Sequence, residues 1–137
     1  MVIVEVMRGG LAAESGTASE SGATARGSAA AGGCSSGSIR RLTVRGHAEY
    51  APHGEDIVCA AASVTIYTAA GALEKLCGAP EDCIIEQEGY CEISVPAFKD
   101  SDAAYRADII METAYIGFKQ IEASYAGFLK VYETTVS

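Results

Sequence analysis

The chain has 137 residues, of which 49% are hydrophobic, with 7 Tyr, 3 Phe and no Trp. That length suits one domain able to bury a single core without metal or disulfide staples. A formal charge of −8 argues against nucleic acid as the direct partner and is compatible with a basic substrate or peptide drawn in by the protein's own field, a permissive inference because many soluble proteins are acidic.

The start, MVIVEVMRGG, lacks the basic region and apolar stretch of a secretory signal. No run is expected to reach the roughly 18 apolar residues of a membrane span. With no export signal, the five cysteines are expected to be reduced thiols in a cytoplasmic protein.

In chain order, residues 2–7 are rich in β-branched side chains and too short for a stable helix, so they predict a first strand. From 10 to 38 nearly every residue is Gly, Ala, Ser, Thr or an isolated charge. Such a segment buries too little apolar area to offset its ordering entropy and predicts a disordered insert within one domain spanning 1–137. Cys34 lies inside it as an incidental thiol. Order resumes at Ile39, and Arg41 to Arg45 alternates so that Leu42 and Val44 face a core.

Residues 46–55 hold Gly46, Pro52 and Gly54 and read as a loop. Asp56 is a good N-cap for a helix over 57–76, stopped by Gly78 and Pro80. Two strands, 83–87 and 90–95, flank Glu88-Gly89 as a hairpin, across which Cys83 and Cys91 face each other as core thiols. Ser101 or Asp102 caps a second helix, whose Ile110, Met111, Ala114, Phe118 and Ile121 share one apolar face; Gly127 ends it and 128–133 is a last strand. The order β-β-α-β-β-α-β predicts an α+β fold, with a mostly antiparallel sheet of about five strands and two helices over one face.

The candidate chemistry lies in GHAEYAPHGEDIVCAA, residues 46–61. A cysteine is a nucleophile only as its thiolate. With Asp56 as cap, Cys59 falls in the first helical turn, where the helix field favours the anion. Free amides there, such as that of Ala60, suit an oxyanion. His47, across a short glycine-containing loop, suits the general base, and Asp56 could orient its imidazole. Ser63, four residues after Cys59, shares its helical side. Each residue also has a plain structural role. A cysteine in an Ala-rich helix is more often a small buried hydrophobe, an aspartate there can be only a cap, and Ser63 can satisfy its own backbone. His53 lies mid-loop as a bystander. No C-x-x-C is present, Thr65 stands where a phosphatase loop needs arginine, and no close cysteine pair nucleates zinc.

The combined Gly46-His47-Ala48 and Gly54-x-Asp56-Ile57-Val58-Cys59-Ala60-Ala61 pattern, with Ser63, resembles the signature of the ribosomal-processing cysteine protease family. The later stretch from Gly117 to Glu122, with Tyr125 and Leu129 to Val131, is similar to that family's C-terminal helix and strand. The resemblance implies a cytoplasmic, homodimeric endopeptidase needing no cofactor or metal, and binding neither membrane nor nucleic acid directly. It implies that a short N-terminal extension is removed from a basic large-subunit ribosomal protein, number twenty-seven. Cys59 would be the nucleophile and His47 the general base, with Asp56 assisting and Gly46 letting the loop move. The 10–38 insert departs from the family pattern, which usually has a short turn there. A non-enzymatic dimeric peptide-binding or ribosome-associated module is the alternative, separated from the enzyme by the reactivity of Cys59.

Overall fold

A computed structural model describes residues 1–9, 37–46 and 55–136, the side chains of 55 and 56 excepted. The expected insert, apart from Gly37 and Ser38, lies outside the described residues, as do His47, His53 and Cys34.

The elements run β1 (Val2–Gly9), β2 (Ile39–Arg45), α1 (Glu55–Cys77), a 3-10 turn (Glu81–Cys83), β3 (Ile84–Gln87), β4 (Tyr90–Ser94), α2 (Ser101–Ser124) and β5 (Leu129–Val136). Five strands form one sheet in the order β3-β4-β2-β1-β5. The α+β architecture is as expected, but the sheet is mixed: β5 pairs with β1 in parallel, Val2 opposite Leu129. Alternation along a strand fixes which face is buried and carries no information on direction, while the 24-residue α2 between β4 and β5 leaves room for either.

One face of the sheet builds the core. Val2, Val4, Val6, Leu42, Val44, Cys91 and Ile93 all point to it and are enclosed, at 1% exposure or less. Over them lie Val58, Ala62, Ile66, Ala69 and Leu73 of α1 and Ala107, Met111, Ala114 and Phe118 of α2. Each large aliphatic or aromatic side chain so removed from water stabilises by about 1.5–3 kcal/mol. The opposite face is polar and held by cross-strand pairs, Arg45 with Glu5 at 2.9 Å and Arg41 with Glu92 at 3.3 Å.

Four local expectations are corrected. Helix α1 begins at Glu55, so Asp56 lies within its first turn and is not the cap. Helix α2 is capped by Asp100, whose side chain accepts from the Asp102 amide at 3.3 Å, and it ends at Ser124 before Gly127. Cys83 sits in the 3-10 turn, and the residue opposite Cys91 is Glu86. Both cysteines are nonetheless buried. Finally, Ile57–Cys77 is long and apolar enough to cross a membrane, with mean hydropathy 1.5. Its stripe from Val58 to Leu73 nevertheless packs on the sheet as core. At its end Gly78, with φ +76, takes the C′ position expected of it.

The buried charge was not anticipated. Arg8 continues the alternation of Val2, Val4 and Val6 onto the core side, just after a register shift in the β1–β2 pairing. Its guanidinium donates to Glu112 of α2, to Glu133 of β5 and to the Gly37 carbonyl ahead of β2, and lies 5.1 Å from the Tyr115 ring centre. The Arg8 guanidinium holds the Glu133 carboxyl below its ordinary range. A carboxyl whose folded pKa lies below its unfolded value adds stability above the unfolded pKa, near 4.3, and loses it as pH falls through the folded one. Stripping the charge from a fully enclosed pair costs about 3–5 kcal/mol; the effect here is smaller because Glu112 and Glu133 keep some solvent contact. Arg8→Met is therefore expected to lower the urea midpoint at pH 7 and to flatten the loss of stability between neutral and acidic pH. An unchanged midpoint, or an unchanged acid slope, would show that the triad does not hold the fold.

Candidate active site

Two elements carry the candidate residues: the end of β2 and the first turns of α1. Strand β2 stops at Gly46, whose φ of +87 is a left-handed conformation that other residues adopt only under strain. The Gly46 amide donates to the Gly89 carbonyl at 3.0 Å, tying the strand end to the β3–β4 turn. A Cβ at Gly46 would stand 2.5 Å from the Met1 carbonyl oxygen. The chain therefore leaves the sheet toward His47 along a path that only glycine fits. His47 itself, the loop to Gly54 and the Asp56 side chain lie outside the described residues.

Cys59 is the fifth residue of α1, half-buried, and packs against the core cluster. Because the helix starts earlier than expected, Cys59 stands one turn in from the end; the helix field there is weaker than at the third position. Ser63, also half-buried, follows one turn later, and Ala60 is exposed. At 100° per residue, Cys59, Ser63, Tyr67 and Ala70 share the flank of α1 turned away from α2. The contacts of the latter two fix its direction. The Tyr67 hydroxyl donates to Glu86 of β3 at 2.6 Å, and Ala70 borders a cleft of about 300 Å³ with Glu74, Glu81, Cys83 and Ile84. Cys59 and Ser63 thus look along the β3–β4 side of the molecule, the side to which Gly46 is tied.

The Tyr67–Glu86 pair was not singled out by sequence reasoning, though the eight-residue spacing from Cys59 was a usable signal. The hydrogen bond to Glu86, aided by burial, pushes the Tyr67 phenol up to about 12, so it remains a donor at neutral pH. It forms a polar wall beside the cysteine flank. The other thiols differ in kind. Burial, with Glu86 nearby, pushes Cys91 up to about 11, and burial also raises Cys83, so both stay protonated and unreactive. None of Cys59, Cys77, Cys83 and Cys91 is in a disulfide. Among the described residues no cluster of three or more His, Cys, Asp or Glu side chains is arranged to hold a metal.

A half-exposed cysteine early in a helix, after a strand whose sequence continues into His47, is an order of parts that a cysteine protease can use. The pattern of the family described as cysteine protease Prp matches residues 33–130, and the chain belongs to that family. The ribosomal processing cysteine protease Prp of Bacillus subtilis (strain 168) is 33% identical over 94 residues, covering 68% of this chain and 84% of that protein. In three dimensions the chain is similar to SMU.848 from Streptococcus mutans, with a TM-score of 0.66, 20% identity and coverage of 99% and 96%. It is also similar to Prp from S. aureus in complex with a substrate peptide, with a TM-score of 0.67, 19% identity and coverage of 98% and 100%.

Replacing Gly46 tests the strand exit. Gly46→Ala forces a left-handed alanine against the Met1 carbonyl, at a cost of about 1–3 kcal/mol. Thermal unfolding followed by circular dichroism should show a lower midpoint. A variant melting with the wild type would mean that the exit path is not constrained as described.

Proposed function

We propose that the protein removes an N-terminal extension from a basic ribosomal protein, with Cys59 as nucleophile and His47 as general base and acid. The observation that carries this reading is the position of Cys59. It is half-exposed near the start of α1, on the flank toward which the histidine-bearing strand end is tied through Gly46 and Gly89. The name of the Bacillus subtilis relative supports a ribosomal protein as the target. The S. aureus protein, crystallised with a covalently linked product peptide, supports a thioester route.

His47 takes the thiol proton as Sγ attacks the scissile carbonyl carbon. The carbonyl oxygen becomes an oxyanion on the side of the free amides of the first helical turn; because the helix starts at Glu55, the Ala60 amide is spent inside the helix and does not serve as the donor first expected. The C–N bond then breaks, and His47 returns the proton to the departing amine. Water, deprotonated by the same imidazole, hydrolyses the thioester and frees Cys59. Asp56 lies three positions before Cys59 in the same turn, suited to keep the imidazole oriented, and Ser63 completes the polar lining one turn on. The net charge of −8 draws in a basic polypeptide tail. Localisation in the cytoplasm, where ribosomal proteins are assembled, belongs to the same reading.

The test is cleavage of a peptide spanning the extension junction of the host's own ribosomal protein, read by mass spectrometry. Cys59→Ala should abolish turnover, and His47→Ala should reduce it by about 10²–10⁴-fold. Both variants should unfold at the wild-type midpoint. Normal cleavage by either variant would remove the dyad.

A further inference from the structure

Strand β3 is an edge of the sheet, with β4 as its one neighbour. Gln87 and Tyr90 pair across a two-residue turn, so the hydrogen-bonded pairs fall at Gln87 and Ile85, and the alternate residues face outward. The amide and carbonyl of Glu86 therefore point off the sheet, as does the carbonyl of Ile84. The Ile84 amide is taken by the Glu81 carbonyl. Such an open edge is a template for one more strand. Beside it runs the flank of α1 that carries Cys59, joined to β3 by the Tyr67–Glu86 hydrogen bond.

From Cys59 that flank leads to the cleft of about 300 Å³ bordered by Gly71, Glu74, Glu81 and Ile84. Between Cys59 and Gly71 the helix rises about 18 Å, the reach of about five residues of extended chain. The cleft has room to spare, since a Cβ built on Gly71 meets nothing within 4 Å. Glu74 and Glu81 rim it, and among the described residues neither has an ion-pair partner. Burial, then the Asp82 and Glu74 charges, raise the Cys83 thiol in its wall, so that negative field reaches inside. Between Lys75 and Lys99 there is no Lys, Arg or His, whereas Glu81, Asp82, Glu86 and Glu88 all fall there. Lys75 itself is turned about 100° round α1 from Glu74.

We infer that a basic segment of the substrate docks here in extended form, adding to the outer edge of β3 and setting a Lys or Arg side chain into the cleft about five residues from the scissile bond. This rests on the proteolytic reading and gives it a specificity surface. An N-terminal extension is what leaves, so the basic part that remains lies on the amine side of the broken bond. Side chains of an added strand alternate between its two faces. Those on the helix side enter the space between Glu86, Glu74 and Glu81, and those on the other side meet Ile85, which is 46% exposed. The carboxylates alone would be an ordinary solvated rim; the open backbone and the roomy cleft in line with Cys59 make it a track. Charge then selects the occupant, because a neutral or acidic segment finds no cation there to meet.

Two peptides spanning the junction test this, one with Lys and Arg on the retained side and one with those residues replaced by Gln. Wild-type kcat/KM should favour the basic peptide by at least about 10-fold, and the double variant Glu74→Gln, Glu81→Gln should lose most of that preference through KM. Gly71→Lys, which supplies the cleft with a cation from the chain itself, should lose it too, while melting no lower than the wild type because glycine is a poor helix former. Glu5→Gln with Asp102→Asn removes the same charge elsewhere and should keep the preference. In Cys59→Ala, saturating basic peptide should slow hydrogen exchange of the Glu86 amide by at least about 10-fold. Fluorescence anisotropy should rank the two peptides in the same order. A preference unaltered in the cleft variants, or lost equally in the charge control, overturns the inference, as does a Glu86 amide left unprotected. A wild type that cuts neither peptide removes the proteolytic reading, and the anisotropy and the Glu86 amide then decide the docking edge by themselves.

Discussion

One guanidinium joins four parts of the fold. Arg8 meets α2 through Glu112, β5 through Glu133, the approach to β2 through the Gly37 carbonyl, and belongs itself to β1. A charge enclosed in a core is costly unless every donor is met, so the two carboxylates and the carbonyl can be satisfied together in one arrangement only. That arrangement sets α2 against the sheet and aligns the parallel pair of β1 and β5. It acts at the far end of β1 from the candidate site, where Ile3 pairs with Arg45 and Gly46 departs. From Val2, beside that departure, to Arg8 the strand rises about 20 Å. Gly9 and Gly37, which flank residues 10–36, both stand at the anchored end, Gly37 through its carbonyl to Arg8.

Most of the architecture was legible because the periods are clean. VIVEVM and RLTVR alternate, CEISV alternates, and the apolar residues of α2 recur at helical spacing. What was not legible concerned relations between distant segments. The direction of β5 depends on which neighbour it meets. The role of Arg8 depends on two glutamates far along the chain, although an arginine continuing a buried alternation was a visible anomaly. The capping of α2 by Asp100 in place of Ser101 or Asp102 shows the limit at element ends, where three adjacent capping residues compete for one position.

The site was legible in part for a related reason. The proposed nucleophile, Cys59, and the proposed base, His47, fall within one short stretch, so spacing suggested them, and the resemblance offered them roles. The flank that α1 turns toward β3, with Tyr67 bonded to Glu86, arises only when helix and sheet are brought together. No local pattern contains it. The seventeen uncharged residues of α1 read simply as core, and the exposed half became visible only after the sheet had taken its share.

The parallel pairing of β1 with β5 has a consequence for the order of events in synthesis. Strand β1 is interior to the sheet, yet its second neighbour comes from the far end of the chain, as do the residues that complete the Arg8 cluster, 125 positions away. Contacts so distant in sequence form late and slow folding. Until β5 emerges, β1 keeps an open edge of unpaired backbone, and Arg8 lacks one of its two carboxylates. A nascent chain of this protein therefore cannot close its sheet until β5 has left the ribosome, and a chain stalled or clipped ahead of β5 would present a sticky strand edge in place of a protease.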